Sequence, residues 1–265
     1  TPLERNPVPT EVEPLVVAIN RLLGRLDNAL ENERRFTADA AHELRTPLAA
    51  LKVHTQVARL SRDAPKREHA LSQIENGVDR ATYLVEQLLR LARLDPLRGL
   101  EDAAPIDLRA VVGDAVERLR KAKPPVTQTL VESFADGELI GYGDADLVGI
   151  AVRNLLDNAV RYSRPESTVW LEISAAAGRY TLVVRDNGPG VAPETLSRLG
   201  ERFFRGRDNS AEGNGLGLAI VSRIAELHGA RFIAGNHPEG GFVASLIGLP
   251  MPPASARSNE AALGA

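Results

Sequence analysis

One histidine of the chain lies in a pattern suited to nucleophilic chemistry. His42 is followed directly by Glu43 and, one helical turn later, by Thr46. A neutral imidazole is a nucleophile near pH 7 because its unperturbed pKa is about 6.5, and a neighbouring carboxylate can accept the proton on the other ring nitrogen. Residues four apart share a helix face, so we expect the Thr46 hydroxyl on the same side as His42. Taken alone, a His-Glu pair is more often part of a solvated helix surface.

Three clusters in the second half of the chain are suited to binding phosphate and a divalent cation. A glycine-rich loop that leads into a helix presents backbone N–H groups and the positive end of the helix dipole, an arrangement that binds phosphate. Asn154 and Asn158 lie one turn apart in a predicted helix, and an amide oxygen is a hard ligand suited to Mg²⁺. The clusters are Asn154 to Ala159 in that helix, Asp186 to Gly190 after a predicted strand, and Gly213 to Leu218 at the start of another helix.

Each glycine cluster also has a simpler interpretation. A single cluster is at least as consistent with an ordinary turn, since a lone Gly-x-Gly-x-Gly pattern is weakly specific. The cluster at Gly213 does not match a dinucleotide-binding fingerprint, because it follows the polar stretch from Gly206 to Glu212 rather than an apolar strand. It also lacks a surrounding βαβ unit.

The stretch around His42 belongs to a pair of long predicted helices. The first helix runs from Glu11 to about Ser61. A turn at Ser61 to Pro65 follows, and the second helix continues from it until Asp95-Pro96. Both carry apolar residues at alternating steps of four and three, the pattern of a coiled-coil seam. One hairpin cannot bury these stripes, so we predict a homodimer through the helical hairpin, a dimeric four-helix bundle; a plain coiled-coil spacer is the alternative. The seams are Leu15, Ile19, Leu22, Leu26 and Ala29, and Ile74, Val78, Ala81, Val85, Leu88 and Ala92.

The pattern changes to mixed α and β after a predicted linker. Five strands and three helices predict an α+β sandwich with helices on one face of a mixed sheet. His228-Gly229 predicts a helix end, and the four histidines other than His42 (His54, His69, His228 and His237) are interpreted as surface residues. The predicted strands are residues 126–132, 168–174, 180–185, 231–234 and 242–247, and the predicted helices are residues 108–121, 145–162 and 216–228.

Composition excludes several other classes of protein. Of the 265 residues, 43% are hydrophobic and 25% are charged, which predicts folded domains. A net charge of −3 argues against a nucleic-acid partner, and the absence of cysteine removes disulfides, thiolate metal sites and cysteine nucleophiles. No apolar run approaches the roughly 18 residues that span a bilayer, which predicts a soluble piece. Both ends of the chain, rich in proline, are predicted to be tails.

Five motifs, in order along the chain, resemble those of sensor histidine kinases. FTADAAHELRTPL at residues 36–48 resembles the H-box, NLLDNAVRYS at 154–163 the N-box, DNGPG at 186–190 the first glycine box, ERFFR at 201–205 the F-box and GNGLGL at 213–218 the second glycine box. The last four define the ATP-binding Bergerat fold, which these kinases share with gyrase, Hsp90 and MutL-type ATPases. The motif sequences are most similar to those of the QseC-type kinases, which pair with OmpR-type response regulators.

The resemblance implies ATP and Mg²⁺ as cofactors and assigns roles to the motif residues. His42 would be the phosphorylated nucleophile, Glu43 would accept its proton, and Thr46 would serve dephosphorylation of the regulator. Asn158 would hold Mg²⁺, and Asp186 would accept a hydrogen bond from the adenine amino group. The remaining implied nucleotide-binding residues are Asn154, Arg161 and Tyr162 beside the metal, Gly188 and Gly190 at the base, and Arg205, Gly213, Gly215, Leu216, Gly217 and Leu218 near the phosphates. Residues 191–212 would form a lid over ATP.

The implied fold is multidomain, a long α-helical hairpin followed by an α+β Bergerat-fold sandwich. Residues 1–30 would end a HAMP linker, 31–96 would form the dimerisation and phosphotransfer hairpin, 97–105 a linker, 106–250 the catalytic ATP-binding domain and 251–265 a disordered tail. The chain would be the cytoplasmic portion of an inner-membrane protein, joined to the membrane only through an N-terminal sensor half.

An ATP-hydrolysing conformational switch of the Hsp90 or MutL type is the alternative function. Those ATPases carry a glutamate, the general base for water, four residues before the asparagine that binds Mg²⁺. This chain has Asn154 at that position, and an amide cannot abstract a proton. The sequence therefore favours the kinase.

Overall fold

The computed structural model describes residues 13–95, 97, 99–100, 102–121, 126–204 and 213–253. The chain divides into two compact units, with the boundary between Leu84 and Val85. Of the predicted C-terminal tail, residues 251–253 are described; the rest of the two predicted tails lies outside the described residues.

Two long helices build the hairpin, as predicted. Helix α1 spans Glu13–Leu60 and helix α2 spans Ala64–Leu94. At 1.5 Å per residue, α1 is about 72 Å long. The turn is shorter than predicted, because α2 already begins at Ala64 with Pro65 in its first turn, where proline is well tolerated. The two helices approach closely at Gly77, where an added Cβ would lie 2.8 Å from Cδ2 of Leu51.

The second unit contains a mixed five-stranded sheet, which confirms the predicted fold class. The strand order is β2-β4-β5-β7-β6, with β2 parallel to β4 and all other neighbours antiparallel. A separate two-stranded sheet pairs β1 with β3. The strands are β1 Ala104–Asp107, β2 Thr129–Phe134, β3 Ile140–Gly143, β4 Thr168–Ala176, β5 Arg179–Asp186, β6 Arg231–Asn236 and β7 Phe242–Pro250.

Three helices pack on one face of this sheet. They are α3 Leu108–Arg120, α4 Ala145–Tyr162 and α6 Gly217–Leu227; the short α5 spans Pro193–Leu196. Alternate residues of β5 point towards the helices and are buried, beginning with Tyr180 and ending with Asp186. Because side chains alternate along a strand, the same period that builds the core places the Asp186 carboxyl at its edge. Helix α4 begins where predicted because the Asp144 side chain accepts a hydrogen bond from the Leu147 N–H at 3.0 Å.

The interpretation of His228 as a surface residue is wrong. Its side chain is 5% exposed and closely packed against Gly143. The Nδ1–H donates to the carbonyl of Ile224 at 2.8 Å, and Nε2 accepts from the backbone N–H of Asp144 at 3.1 Å. Burial lowers the pKa of His228, so the residue is neutral, and it connects the end of α6 to the start of α4. The predicted helix end itself is confirmed: His228 is the C-cap of α6, and Gly229 follows it with φ +63°.

We expect His228 to make the second unit acid-sensitive. Because its folded-state pKa is lowered, the unfolded chain binds a proton that the folded chain does not, and stability is lost as pH falls below about 6.5. The slope is at most about 1.4 kcal/mol per pH unit. The slope of the unfolding free energy between pH 7.5 and 5 can be measured by urea unfolding, followed by the fluorescence of Trp170, the single tryptophan. In His228→Gln the slope should shrink, whereas His237→Gln should retain it; equal slopes in both variants and the wild type would contradict this assignment.

Candidate functional site

The two asparagines of α4 differ in their environment. Asn154 is 5% exposed, and its Nδ2 donates to the carbonyl of Ile150 at 2.8 Å. Asn158 is half-buried and makes no hydrogen bond to any described residue. Asn154 is therefore held within the core through its NH₂ group, whereas the amide of Asn158 is available to a ligand.

The first turn of α6 lies against these asparagines. A Cβ added to Gly217, the first residue of α6, would lie 3.0 Å from Oδ1 of Asn154 and 3.8 Å from Nδ2 of Asn158. A larger residue would separate the two helices. The contact brings the N–H groups at the start of α6 close to Asn158, and such groups bind phosphate because they have no partner within the helix.

The glycines before α6 contact the end of α4 and the residues around Phe203. A Cβ added to Gly213 would lie 3.0 Å from Nη1 of Arg161 and 3.3 Å from Oη of Tyr162. The carbonyl of Gly215 accepts a hydrogen bond from the Phe203 N–H at 3.0 Å. Of the two neighbouring predicted residues, Leu216 is buried and Leu218 half-buried, and Arg205 lies outside the described residues.

Asp186 is a buried carboxylate that holds its own loop in place. It is 2% exposed, and its Oδ1 accepts hydrogen bonds from the N–H groups of Gly188 at 2.8 Å and Phe242 at 3.3 Å. Burial raises the pKa of Asp186, and the two hydrogen bonds, which favour the ionised form, only partly oppose that effect. Because both bonds go to Oδ1, Oδ2 can accept a hydrogen bond from an amino group of a ligand.

The loop after Asp186 contacts α4 on one side and β6 on the other. A Cβ added to Gly188 would lie 2.8 Å from the carbonyl oxygen of Tyr162, and one added to Gly190 would lie 2.8 Å from Oδ1 of Asn236. The structure therefore brings the three predicted clusters together around the second half of α4. The glycines are required for these close approaches.

Sequence reasoning missed two residues that support this loop, Asn236 and Gly241. Gly241 has φ +89°, and any Cβ there would collide with the carbonyl oxygen of Asp186. Asn236, at the end of β6, forms hydrogen bonds with Val191. The available signal was the segment Asn236 to Phe242, in which a Pro-Glu-Gly-Gly turn separates two predicted strands.

The described part of the predicted lid has a well-defined base. The Arg198 guanidinium lies over the Phe204 ring, 4.0 Å from its centroid, and donates to Glu201 at 2.8 and 3.0 Å. Arg202 forms an ion pair with Asp95 at 2.5 Å. Residues 205–212 of the predicted lid lie outside the described residues.

His42 lies on the exposed surface of α1, in the hairpin. Thr46 is also exposed, and its Oγ1 lies 3.5 Å from the backbone carbonyl oxygen of His42, at the outer limit of a hydrogen bond. The hydroxyl is therefore only weakly bound to the helix. Glu43 is half-buried and, as the next residue of the helix, leaves the backbone about 100° around the axis from His42.

The donor set around Asn158 fits a cation that takes few protein ligands. Among the described residues, no group of three His, Cys, Asp or Glu side chains could hold a metal ion. Mg²⁺ commonly takes one or two protein oxygens and completes its octahedral shell with water and phosphate oxygens. One available amide oxygen beside the first turn of α6 is compatible with that chemistry.

Two family models match the two halves of the chain. Residues 32–97 match the His Kinase A (phospho-acceptor) domain, and residues 143–253 match the family described as histidine kinase-, DNA gyrase B- and HSP90-like ATPase. These matches define a phospho-acceptor hairpin followed by an ATPase domain. The chain belongs to the sensor histidine kinases.

Relatives and solved structures agree with this family. The chain is 50% identical over 245 residues to the sensor protein QseC of Salmonella typhi, covering 92% of this chain and 54% of the relative. It is 39% identical over 250 residues to the sensor protein kinase PmrB of Pseudomonas aeruginosa, covering 94% and 52%. The structure of full-length ShkA in complex with AMPPNP matches with a TM-score of 0.59 and 26% identity, covering 83% of this chain and 47% of that one.

The chain spans about half the length of the curated relatives it matches. Among the described residues, none of the helices is both long and apolar enough to cross a bilayer.

Proposed function

We propose that this chain is an ATP-dependent protein-histidine kinase that autophosphorylates His42 and transfers the phosphoryl group to an aspartate of a response regulator. The observation that carries the proposal is the convergence on α4 of three elements: the Asp186 loop, the available amide of Asn158 and the start of α6. Family membership in the sensor histidine kinases supports it.

Two groups of residues bind the nucleotide, one at the base and one at the phosphates. Oδ2 of Asp186 accepts a hydrogen bond from the adenine amino group, and Gly188 and Gly190 allow the backbone to approach the base. The N–H groups of the 213–217 segment and of the first turn of α6 bind the phosphates, with Arg161 and Tyr162 nearby. Arg205, outside the described residues, is proposed as a phosphate contact from the resemblance of its motif alone. Asn158 is the proposed ligand of Mg²⁺, which when bound neutralises phosphate charge during transfer. The AMPPNP named in the ShkA structure, an ATP analogue, supports a nucleotide at this site.

The chemistry at His42 is nucleophilic attack on the γ-phosphorus. A ring nitrogen forms the N–P bond while the P–O bond to ADP breaks, and the proton on the other ring nitrogen passes to Glu43. The exposure of His42 on α1 leaves it accessible both to the nucleotide and to a regulator. In the second transfer the phosphoryl group passes from nitrogen to the regulator's carboxylate oxygen, which regenerates the histidine.

An ATP-hydrolysing switch of the Hsp90 or MutL type is disfavoured by Asn154. This residue occupies the position of the general base in those ATPases, and its amide is buried and donates to the Ile150 carbonyl. It cannot take a proton from water.

The full-length assembly is proposed to be a homodimer attached to the inner membrane. Four α1 seam residues, Leu15, Ile19, Leu22 and Leu26, are exposed in the single chain, Leu22 at 66% and Leu26 at 52%, as expected for residues buried against a second copy. An OmpR-type response regulator is the proposed partner, and Mg²⁺ the proposed metal. Residues 1–30 as the end of a HAMP linker, 31–96 as the phosphotransfer hairpin and 106–250 as the catalytic domain remain the proposed boundaries.

The direct test of the kinase is labelling with ATP that carries a radioactive γ-phosphate. We expect Mg²⁺-dependent label that is lost in acid and survives alkali, the stability of phosphohistidine. Label that survives acid would place the phosphate on another type of residue, and release of phosphate without labelled protein would favour the ATPase.

Thr46 is proposed to position a water molecule for removal of phosphate from the regulator. Its hydroxyl is exposed and held only by a 3.5 Å contact, so it can orient water for in-line attack on an aspartyl phosphate docked at His42. We expect Thr46→Ala to keep autophosphorylation and phosphotransfer but to slow regulator dephosphorylation about tenfold or more. The measurement is the decay of purified phospho-regulator with ADP and Mg²⁺ present.

The control is Thr55→Ala, which removes a hydroxyl bound to the Leu51 carbonyl at 2.7 Å on the same helix. Equal decay with Thr46→Ala and the wild type would leave Thr46 with a structural role alone.

A further inference from the structure

The side chain of Asn236 forms two hydrogen bonds with the backbone of Val191. Its Oδ1 accepts from the Val191 N–H at 2.7 Å, and its Nδ2 donates to the Val191 carbonyl at 2.7 Å. The amide therefore makes the pair of bonds that a neighbouring strand would make. Asn236 is the last residue of β6, so the sheet itself ends where this side chain continues its pairing pattern.

The pair of bonds fixes the far end of the loop that begins at Asp186. At the near end, Oδ1 of Asp186 accepts from the N–H groups of Gly188 and Phe242, and Gly241 lies against the Asp186 carbonyl. Both ends of the loop of residues 187–191 are thus held by residues of the β6–β7 hairpin. The glycines proposed to lie beside the base are located between these two points.

The tip of the β6–β7 hairpin is itself well ordered by hydrogen bonds. The His237 N–H donates to the Gly241 carbonyl at 3.0 Å, and the Gly240 N–H donates to the His237 carbonyl at 2.9 Å. The Glu239 N–H donates to Nδ1 of His237 at 3.2 Å, and the Glu239 carboxylate pairs with Arg185 at 3.1 Å. Asn236 therefore extends from a hydrogen-bonded turn that is separate from the loop it contacts.

We propose that Asn236 is a positioning residue for the nucleotide base: it holds residues 187–191 so that Asp186, Gly188 and Gly190 present a preformed surface to adenine. This inference rests on the proposed nucleotide site. Asn236 acts through Val191 and has no assigned contact with the nucleotide. Its loss should weaken binding of the base while leaving the phosphate-binding residues of α4 and α6 in place.

The test compares Asn236→Leu, which has a similar volume but makes neither bond, and Asn236→Asp, which keeps only the acceptor to the Val191 N–H. The matched control is Arg231→Gln, an exposed residue at the opposite end of β6, which leaves both the hairpin tip and the Asn236–Val191 pair intact. For Asn236→Leu we expect the Kd for a fluorescent ATP analogue to rise about tenfold, equivalent to about 1.4 kcal/mol. Asn236→Asp should have an intermediate Kd, and the preference for ATP over GTP should fall. Amide hydrogen exchange of residues 187–192 should become faster in both variants and remain unchanged in the control.

The outcomes separate this inference from the function on which it rests. If the wild-type chain binds no nucleotide, the proposed function fails. If the wild type binds and Asn236→Leu binds equally well, with unchanged exchange in residues 187–192, Asn236 has no positioning role. If the Asn236→Leu variant loses affinity for ATP and for inorganic triphosphate to the same extent, its effect is on the whole fold, and the inference is overturned.

Discussion

Replacement of His42 by glutamine is expected to abolish autophosphorylation while nucleotide binding remains unchanged. Glutamine is similar in length and can form hydrogen bonds, but it lacks a nucleophilic nitrogen, so no N–P bond can form. His42 is exposed on α1, in the hairpin unit, and the hydrogen bonds described at Asp186 and Asn154 do not involve it. The expected loss is complete within the sensitivity of γ-phosphate labelling, and dimerisation should be unaffected.

His54→Gln is the matched control for this experiment. His54 lies on the same helix, twelve residues further on, and is half-buried. The His54→Gln variant should retain wild-type labelling with γ-phosphate. Alkali-stable label on the His42→Gln chain would show that a different histidine is the acceptor and would reject the assignment of the H-box.

Asp186→Asn is expected to reduce ATP affinity by at least about a hundredfold without lowering stability. The asparagine can keep an oxygen for the N–H groups of Gly188 and Phe242, but in the proposed site its NH₂ group would replace Oδ2 and face the adenine amino group, which is also a donor. Burial raises the pKa of Asp186, which means that the ionised carboxylate is disfavoured in the fold, so a neutral side chain removes that penalty at neutral pH. Titration with a fluorescent ATP analogue and urea unfolding measure the two effects.

Asp107→Asn provides the control for this substitution. The Asp107 carboxylate also accepts two backbone N–H groups, from Arg109 at 2.9 Å and Ala110 at 3.1 Å, but it caps α3 and lies in no predicted cluster. Asparagine is an equally good N-cap, so neither affinity nor stability should change. Wild-type affinity in Asp186→Asn would place the base elsewhere in the domain. Lost affinity together with lost stability would mean that the substitution had disrupted the fold.

The sequence alone determined the features that local chemistry and periodicity specify. Helix α4 was predicted at Ala145–Tyr162 and occurs there, because its apolar period and the Asp144 cap act over a few residues. The three clusters that lie together around α4 were also identified from the sequence, since no other residue type permits the close backbone approaches at their glycines. The short strands β1 and β3 were missed and β2 was displaced. Four-residue strands carry little periodic signal, and their pairing, such as Ala104 with Gly143, joins distant parts of the chain.

Only the tertiary structure decided what each polar side chain does. Asn154 and Asn158 are the same residue type on one helix face, yet packing against α6 buries the first and leaves the second available. His228 was predicted to be a surface residue from its place at a helix end. It is instead buried beside Gly143, where its neutral ring accepts a hydrogen bond from the Asp144 N–H at the start of α4. Asn236 and Val191 are 45 residues apart, and the sequence contains no sign of their pairing. The physical reason is common to all three: burial and hydrogen-bond partners depend on which segments meet across the fold, and that information is absent from the local sequence.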